Sequence, residues 1–122
     1  MDEKGQGPLE RLFGPFASVR ILDFLSTFRE FDYSMADIAR NTGLSSKTIQ
    51  REMPRLISYR VVEMSRSVGR AQMYRLNVKD PIAVKLNSLI SEIARLDSEK
   101  LMAEDQIKIL SEAGKEKIVA TL

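Results

Sequence analysis

The chain has no cysteine and no histidine among its 122 residues. Their absence removes disulfides, thiol redox chemistry and most zinc or copper sites, because these depend on thiolate or imidazole groups. It also removes the side chain that most often acts as a general base in catalysis. No cluster of carboxylates and lysines replaces it, so the composition predicts a protein that is not an enzyme and holds no metal or other cofactor.

Long apolar runs are also missing from the sequence. No run approaches the ~20 residues that span a bilayer, and residues 1–8 carry two acids and no apolar stretch. We therefore expect no membrane association, no secretion signal and a cytoplasmic location. The length fits one compact domain with one appended element.

Charge is distributed unevenly along the chain, although the net charge is only +2. From Arg40 to Leu76, eight bases face two acids, whereas both flanking segments carry an excess of acids. Seven of these eight bases are arginines, whose planar guanidinium suits phosphate and guanine recognition. The segment favours contact with nucleic acid, while the simpler alternative is that it only solvates a surface.

The order of helical and strand patterns predicts a mainly α protein with a small β-hairpin. Ser34 and Asp37 match a capping box, Gly43 is suited to end the helix that follows, and Ser45 caps the next helix. That next helix is expected to continue through Pro54 with a kink. The predicted helices cover 8–13, 16–28, 35–42, 46–59 and 80–114, and the predicted strands cover 61–67 and 71–76.

The stretch SMADIARNTGLSSKTI, residues 34–49, resembles the helix-turn-helix signature. Ala39 stands where two helices approach closely, and Gly43 makes the turn between them. The buried contacts between the two helices are expected from Ile38, Leu44 and Ile49. With a helix before this stretch and the hairpin VEMSRSVGRAQMYRLN after it, residues 19–77 are similar to the winged helix-turn-helix domain of MarR and ArsR type regulators.

Two departures from those families stand out. They usually place glycine after the second helix of the motif, where this chain has Arg60, and their metal-sensing members use cysteines or histidines that this chain does not have. Metal sensing is therefore not implied. The resemblance implies a homodimeric transcriptional regulator that binds double-stranded DNA. It divides the chain into an N-terminal extension (1–15), a DNA-binding domain (16–79), a dimerisation helix (80–114) and a frayed tail (115–122).

Other functions are compatible with the same fold. Winged helices also serve as protein-interaction or RNA-binding modules, and a non-specific chromatin-type DNA-binding protein is a further alternative. The basic recognition helix and basic hairpin favour DNA over the first two. No residue pattern assigns a small-molecule effector.

The candidate DNA-binding residues lie on the second helix of the motif and on the hairpin. The first turns of such a helix face base edges in the major groove, where Gln50 suits adenine and Arg51 suits guanine. Ser45 and Thr48 are candidates for phosphate contacts, although capping and packing respectively would also explain them. The complete predicted set is Ser34, Ser45, Ser46, Lys47, Thr48, Gln50, Arg51, Arg55, Arg66 and Arg70.

The last helix carries a heptad seam that runs from Ile82 to Leu110, interrupted by Lys100. A stripe this apolar must be buried, and we expect a second copy of the chain to cover it, the alternative being a fold-back onto its own domain. A long parallel pairing is disfavoured because acids would face each other, so antiparallel helices or a bundle with the first core helix are favoured. The predicted dimerisation residues are Leu86, Leu89, Ile93, Leu96, Ile107 and Leu110.

Overall fold

The computed structural model describes the backbone of residues 6–121 and the side chains of residues 6–113. Within this range the helices are α1 (Pro8–Phe13), α2 (Ala17–Thr27), α3 (Met35–Thr42), α4 (Ser46–Ser58) and α5 (Pro81–Thr121). The strands are β1 (Tyr33–Ser34), β2 (Val62–Val68) and β3 (Ala71–Leu76). The chain forms two compact units that divide between Ile90 and Ser91.

The first unit is built around a helical core that one face of a small sheet completes. Its antiparallel sheet has the strand order β1-β3-β2. Helices α2, α3 and α4 contribute apolar side chains at helical spacing, and the beginning of α5 contributes Ala83. The fully buried side chains include Ile21, Leu25, Ile38, Ile49, Met53, Val62 and Leu76.

The local signals around the helix-turn-helix are confirmed. Ser34 and Asp37 form the predicted capping box: Asp37 N–H donates to Ser34 Oγ over 3.1 Å, and Ser34 N–H donates to Asp37 Oδ2 over 3.2 Å. Gly43 ends α3 with φ +73°. Helix α4 continues through Pro54 to Ser58. Arg60, in place of the usual glycine, also takes a left-handed conformation with φ +64°, and its Nε lies 3.3 Å from Asp80 Oδ1.

The glycine that ends α3 gives a test of this turn. Substitution Gly43→Ala should lower the free energy of unfolding by about 1 kcal/mol, because a Cβ is disfavoured at positive φ. Apart from its own chain neighbours, no described atom lies within 4 Å of that Cβ, so the cost comes from the backbone conformation rather than from a steric clash. Gly43→Asn should cost less, since asparagine tolerates this conformation. Urea denaturation at one fixed protein concentration measures both variants, and an unchanged Gly43→Ala protein would contradict the assignment.

Helix α1 is anchored to α2 by a buried carboxylate. Asp23 accepts the N–H groups of Leu9 and Glu10, each over 2.9 Å, and thereby caps the first turn of α1. Burial raises the pKa of Asp23 in spite of these two bonds. Gly7 is required here, because a Cβ at this position would stand 2.4 Å from Asp23 Cγ. The predicted N-terminal extension therefore includes a docked helix; residues 1–5 lie outside the described part of the chain.

Two expectations for secondary structure were wrong. Gly114 does not end the last helix, which runs on to Thr121. Of the predicted tail, residues 115–121 are thus helical in their backbone, and Leu122 lies outside the described residues. An interior glycine costs only about 1 kcal/mol relative to alanine, and helix-forming residues follow it. The connection before α3 contains β1, whose Tyr33 and Ser34 pair with Tyr74 and Met73.

Candidate nucleic-acid interface

The predicted recognition helix, α4, presents a polar face at its N-terminal end. Ile49, Met53 and Leu56 are buried on one side of the helix. On the other side four of the predicted DNA-binding residues are exposed together: Ser46, Lys47, Gln50 and Arg51. The 3.6-residue periodicity fixes this division, because burying one stripe turns the positions between its members outward. We call these four residues the recognition face.

The hydroxyl groups at the two helix starts are occupied in part by capping. Ser45 Oγ accepts the N–H of Thr48 over 3.1 Å and lies 2.9 Å from Thr48 Oγ1. Ser34 caps α3, and its N–H group and hydroxyl both bond to Asp37, which lowers the pKa of that carboxyl. Ser45 is exposed, whereas Ser34 and Thr48 are half-buried. A phosphate oxygen only accepts, so a contact needs a free hydroxyl donor; one of Ser45 and Thr48 donates to the other, which leaves one hydroxyl donor of this pair for a phosphate.

Glu52 lies between two arginines of α4 that were predicted to bind DNA. Its Oε1 is 3.4 Å from Arg51 Nε, and its Oε2 is paired with Arg55. The side chain of Glu52 is largely buried, whereas both arginines are well exposed. The three-residue spacing of Glu52 and Arg55 is one at which helix side chains can pair, and the structure shows that pair formed. Neighbours one residue apart do not face each other on a helix, so the contact with Arg51 is known from the structure alone.

Asp32 is a partner of the hairpin that the sequence analysis missed. Both of its carboxylate oxygens accept from Arg66: Nε donates to Oδ2 over 2.9 Å and a terminal nitrogen donates to Oδ1 over 3.2 Å. Ser65 Oγ also donates to Oδ2, over 2.7 Å. The hydrogen bonds from Arg66, followed by the one from Ser65, lower the pKa of Asp32 to about 2. The carboxylate of Asp32 is therefore charged at neutral pH.

Local pairing reduces the charge excess of the basic segment. Six of its eight bases form ion pairs, and three of the acids that pair with them, Asp32, Asp37 and Asp80, come from outside the segment. Five acids thus lie against eight bases, leaving an excess of three positive charges. Within the described part of the chain, Lys47 on the recognition face and Arg70 at the hairpin tip are the two bases of this segment without an ion pair.

Four of the six predicted dimerisation residues are exposed within the single chain. Leu86 packs against the core of the first unit, and Ile93 is half-buried. The remaining four members of the set are exposed: Leu89, Leu96, Ile107 and Leu110.

The described residues include no group of acids that could hold a metal ion. Among them there is also no helix long and apolar enough to cross a membrane.

Several solved structures are similar to this chain. MepR, described as a transcription regulator of the Staphylococcus aureus multidrug efflux pump MepA, is 15% identical with a TM-score of 0.63, over 98% of this chain and 88% of that one. A MepR mutant bound to an oligodeoxyribonucleotide is 16% identical with a TM-score of 0.62, over the same shares of the two chains.

A third similar structure is a homodimeric winged helix-turn-helix DNA-binding domain from Mycobacterium bovis, described as a possible ArsR-family transcriptional regulator. It is 24% identical with a TM-score of 0.50, over 72% of this chain and 79% of that domain. No protein-family model and no curated protein matches the chain. The structural likenesses establish the fold: the chain is a winged helix-turn-helix protein, as the resemblance to MarR and ArsR type regulators predicted.

Proposed function

We propose that this protein is a cytoplasmic, homodimeric transcriptional regulator that binds double-stranded DNA in a sequence-specific manner. Helix α4 enters the major groove, and the β2–β3 hairpin, the wing of the fold, meets the DNA backbone or minor groove. The observation that carries the proposal is the recognition face, four exposed polar or basic residues at the N-terminal end of the motif's second helix. These are the turns from which such helices contact base edges.

The chemistry of the recognition face favours duplex DNA over RNA. The major groove of B-DNA admits an α-helix, whereas that of A-form RNA is too deep and narrow for side chains to read. Gln50 and Arg51 supply the amide and guanidinium that bond adenine and guanine bidentately. The similar MepR mutant bound to an oligodeoxyribonucleotide supports the same choice. The proposal assigns no catalytic role to any residue.

The two halves of the proposed regulator have separate roles. Residues 16–79 form the DNA-binding domain, with phosphate contacts from Ser34, Ser45, Thr48 and Arg55 beside the base contacts. Residues 80–114 join two protomers through the apolar seam of α5, whose exposed members need a cover. The similar domain that is described as homodimeric supports this pairing. A two-fold dimer presents two recognition helices, so the DNA site should be an inverted repeat with half-sites about one turn apart.

Selection of preferred duplexes from a random library, followed by affinity measurements on variants, tests the base contacts. Gln50→Ala and Arg51→Ala should each cost about 1–3 kcal/mol on the best site and relax its sequence, because each removes a bidentate contact. Arg70→Ala should weaken all duplexes equally.

Arg95→Ala is the matched control for the loss of an arginine. Arg95 lies on α5, pairs with Glu92 and Glu99, and is outside the recognition face, so its removal should leave the preferred sequence unchanged. The proposed function fails if the wild-type protein binds duplex RNA as tightly as duplex DNA. It also fails if Gln50→Ala and Arg51→Ala leave the preferred sequence intact.

A further inference from the structure

The outer half of the wing receives little support from the sheet. Strand β1 pairs with β3 only at Tyr74 and Met73, so the register Ser67–Gln72 and Val68–Ala71 is held by the hairpin alone. A lone two-stranded hairpin is marginally stable in water. The direction in which the wing tip points therefore depends on contacts from outside the hairpin.

Asp32 supplies side-chain hydrogen bonds that join the wing, next to this outer half, to the rest of the unit. The register of β2 against β3 is interrupted between Met64 and Ser67, so Ser65 and Arg66 lie in a bulge. Successive residues of a regular strand point to opposite faces, but a bulge redirects them. Ser65 and Arg66 accordingly reach one carboxylate together, with three hydrogen bonds of 2.7–3.2 Å.

Gln72 holds the same bulge from the other strand. Its Nε2 donates to the carbonyl oxygen of Arg66 over 3.0 Å, and its Oε1 accepts from Ser67 Oγ over 3.1 Å. The backbone of Arg66 is thus fixed by β3 while its guanidinium is fixed by Asp32. The side chain of Asp32 is only 13% exposed, so the carboxylate is positioned to hold Arg66 rather than to meet a ligand.

We propose that Asp32 is the positioning residue of the wing. By holding the guanidinium of Arg66, it fixes the direction of the wing so that Arg70 contacts the DNA. This inference rests on the proposed function and deepens it. Of the two wing arginines expected to bind DNA, Arg70 makes the contact and Arg66 acts through the wing's direction. Arg70 follows Gly69, which has φ +61° in the turn, and has no ion pair within the described residues.

The sign of one substitution separates this role from simple electrostatics. Asp32→Asn removes a negative charge from a DNA-binding surface, which by charge alone raises affinity for a polyanion. If Asp32 merely competed with phosphates for Arg66, its removal would also release a cation for the DNA. The positioning role gives the opposite result, because a wing that loses its direction loses the contact from Arg70.

The experiment is a double-mutant cycle on the full chain with the selected duplex. Asp32→Asn should lower affinity by about fivefold or more. In the Arg70→Ala background the same substitution should change affinity by less than about twofold, because the contact it aims is already gone. The salt slope of Asp32→Asn should fall by about 2, the value for one lost phosphate contact in each protomer of the dimer. A general loss of stability would instead lower affinity equally in both backgrounds.

Glu30→Gln is the matched control. Glu30 is exposed, lies two residues from Asp32 and has no ion pair within the described part of the chain, so its neutralisation should leave affinity unchanged or raise it slightly. If circular dichroism shows that the Asp32→Asn protein is unfolded, Arg66→Lys replaces it in the double-mutant cycle. Lysine keeps the positive charge but lacks the planar guanidinium that pairs with a carboxylate through two hydrogen bonds.

Each outcome decides the inference. Loss of affinity that disappears in the Arg70→Ala background supports it, whereas equal losses in the two backgrounds overturn it. A gain of affinity in Asp32→Asn also overturns it and identifies Arg66 as a DNA ligand held back by Asp32. Wild-type protein that binds no duplex DNA overturns the proposed function and this inference together, while an unchanged Asp32→Asn protein that binds duplex DNA overturns this inference alone.

Discussion

Raising the salt concentration from 50 to 200 mM should weaken binding of this protein to its duplex site by about 10³-fold. Six of the eight bases in the basic segment are already paired with acids, so the local excess is three charges per chain rather than the six that the sequence implied. Two protomers then displace counterions at about six phosphates, which gives a fall of this size.

Fluorescence anisotropy across a salt series measures this slope. Arg70→Ala should lower the slope, because it removes one unpaired phosphate-binding cation from each protomer. Arg95→Ala, whose guanidinium lies outside the basic segment, should leave it unchanged. Binding that does not depend on salt would contradict a phosphate-based interface. A fall closer to 10⁵-fold would mean that the paired arginines exchange their acids for phosphates on binding.

Breaking the seam of α5 should have an effect of similar size. Substitution Leu96→Asp should convert the proposed dimer to a monomer. Binding to the inverted repeat should then weaken by about 10²–10⁴-fold, because a protomer bound at one half-site no longer holds its partner at the other. Leu96 is 47% exposed in the single chain. A carboxylate there is accordingly tolerated by the monomer but would be buried in the proposed dimer.

Leu101→Asp is the matched control on the same helix. Leu101 is 62% exposed and, five residues further on, is rotated by about 140° away from Leu96. The Leu101→Asp protein should therefore remain a dimer in light scattering and bind the inverted repeat as tightly as the wild-type protein does. If Leu96→Asp stays dimeric at micromolar concentration, or if Leu101→Asp dissociates to the same extent, the heptad seam is not the dimer interface.

The sequence alone determined the features that depend on nearest neighbours along the chain. Ser34 with Asp37, Gly43 and Ser45 fixed the ends of the two motif helices, because caps and turns are closed by hydrogen bonds between residues a few positions apart. The recognition face followed from helical periodicity, which places buried and exposed positions on opposite sides. Where local signals were weak they failed, as at Gly114, because the penalty for one glycine is small beside a run of good helix formers.

Only the tertiary structure decided which charges are available and where the wing points. Arg66 was predicted as a DNA contact from its place beside the hairpin tip, yet its partner Asp32 stands 34 residues earlier in the chain. Asp80 likewise reaches Arg60, and β1 is a strand only because β3 lies beside it. Composition counts each arginine as one free charge. Folding brings distant carboxylates within hydrogen-bond distance, and that pairing is set by the packing of whole elements rather than by local sequence.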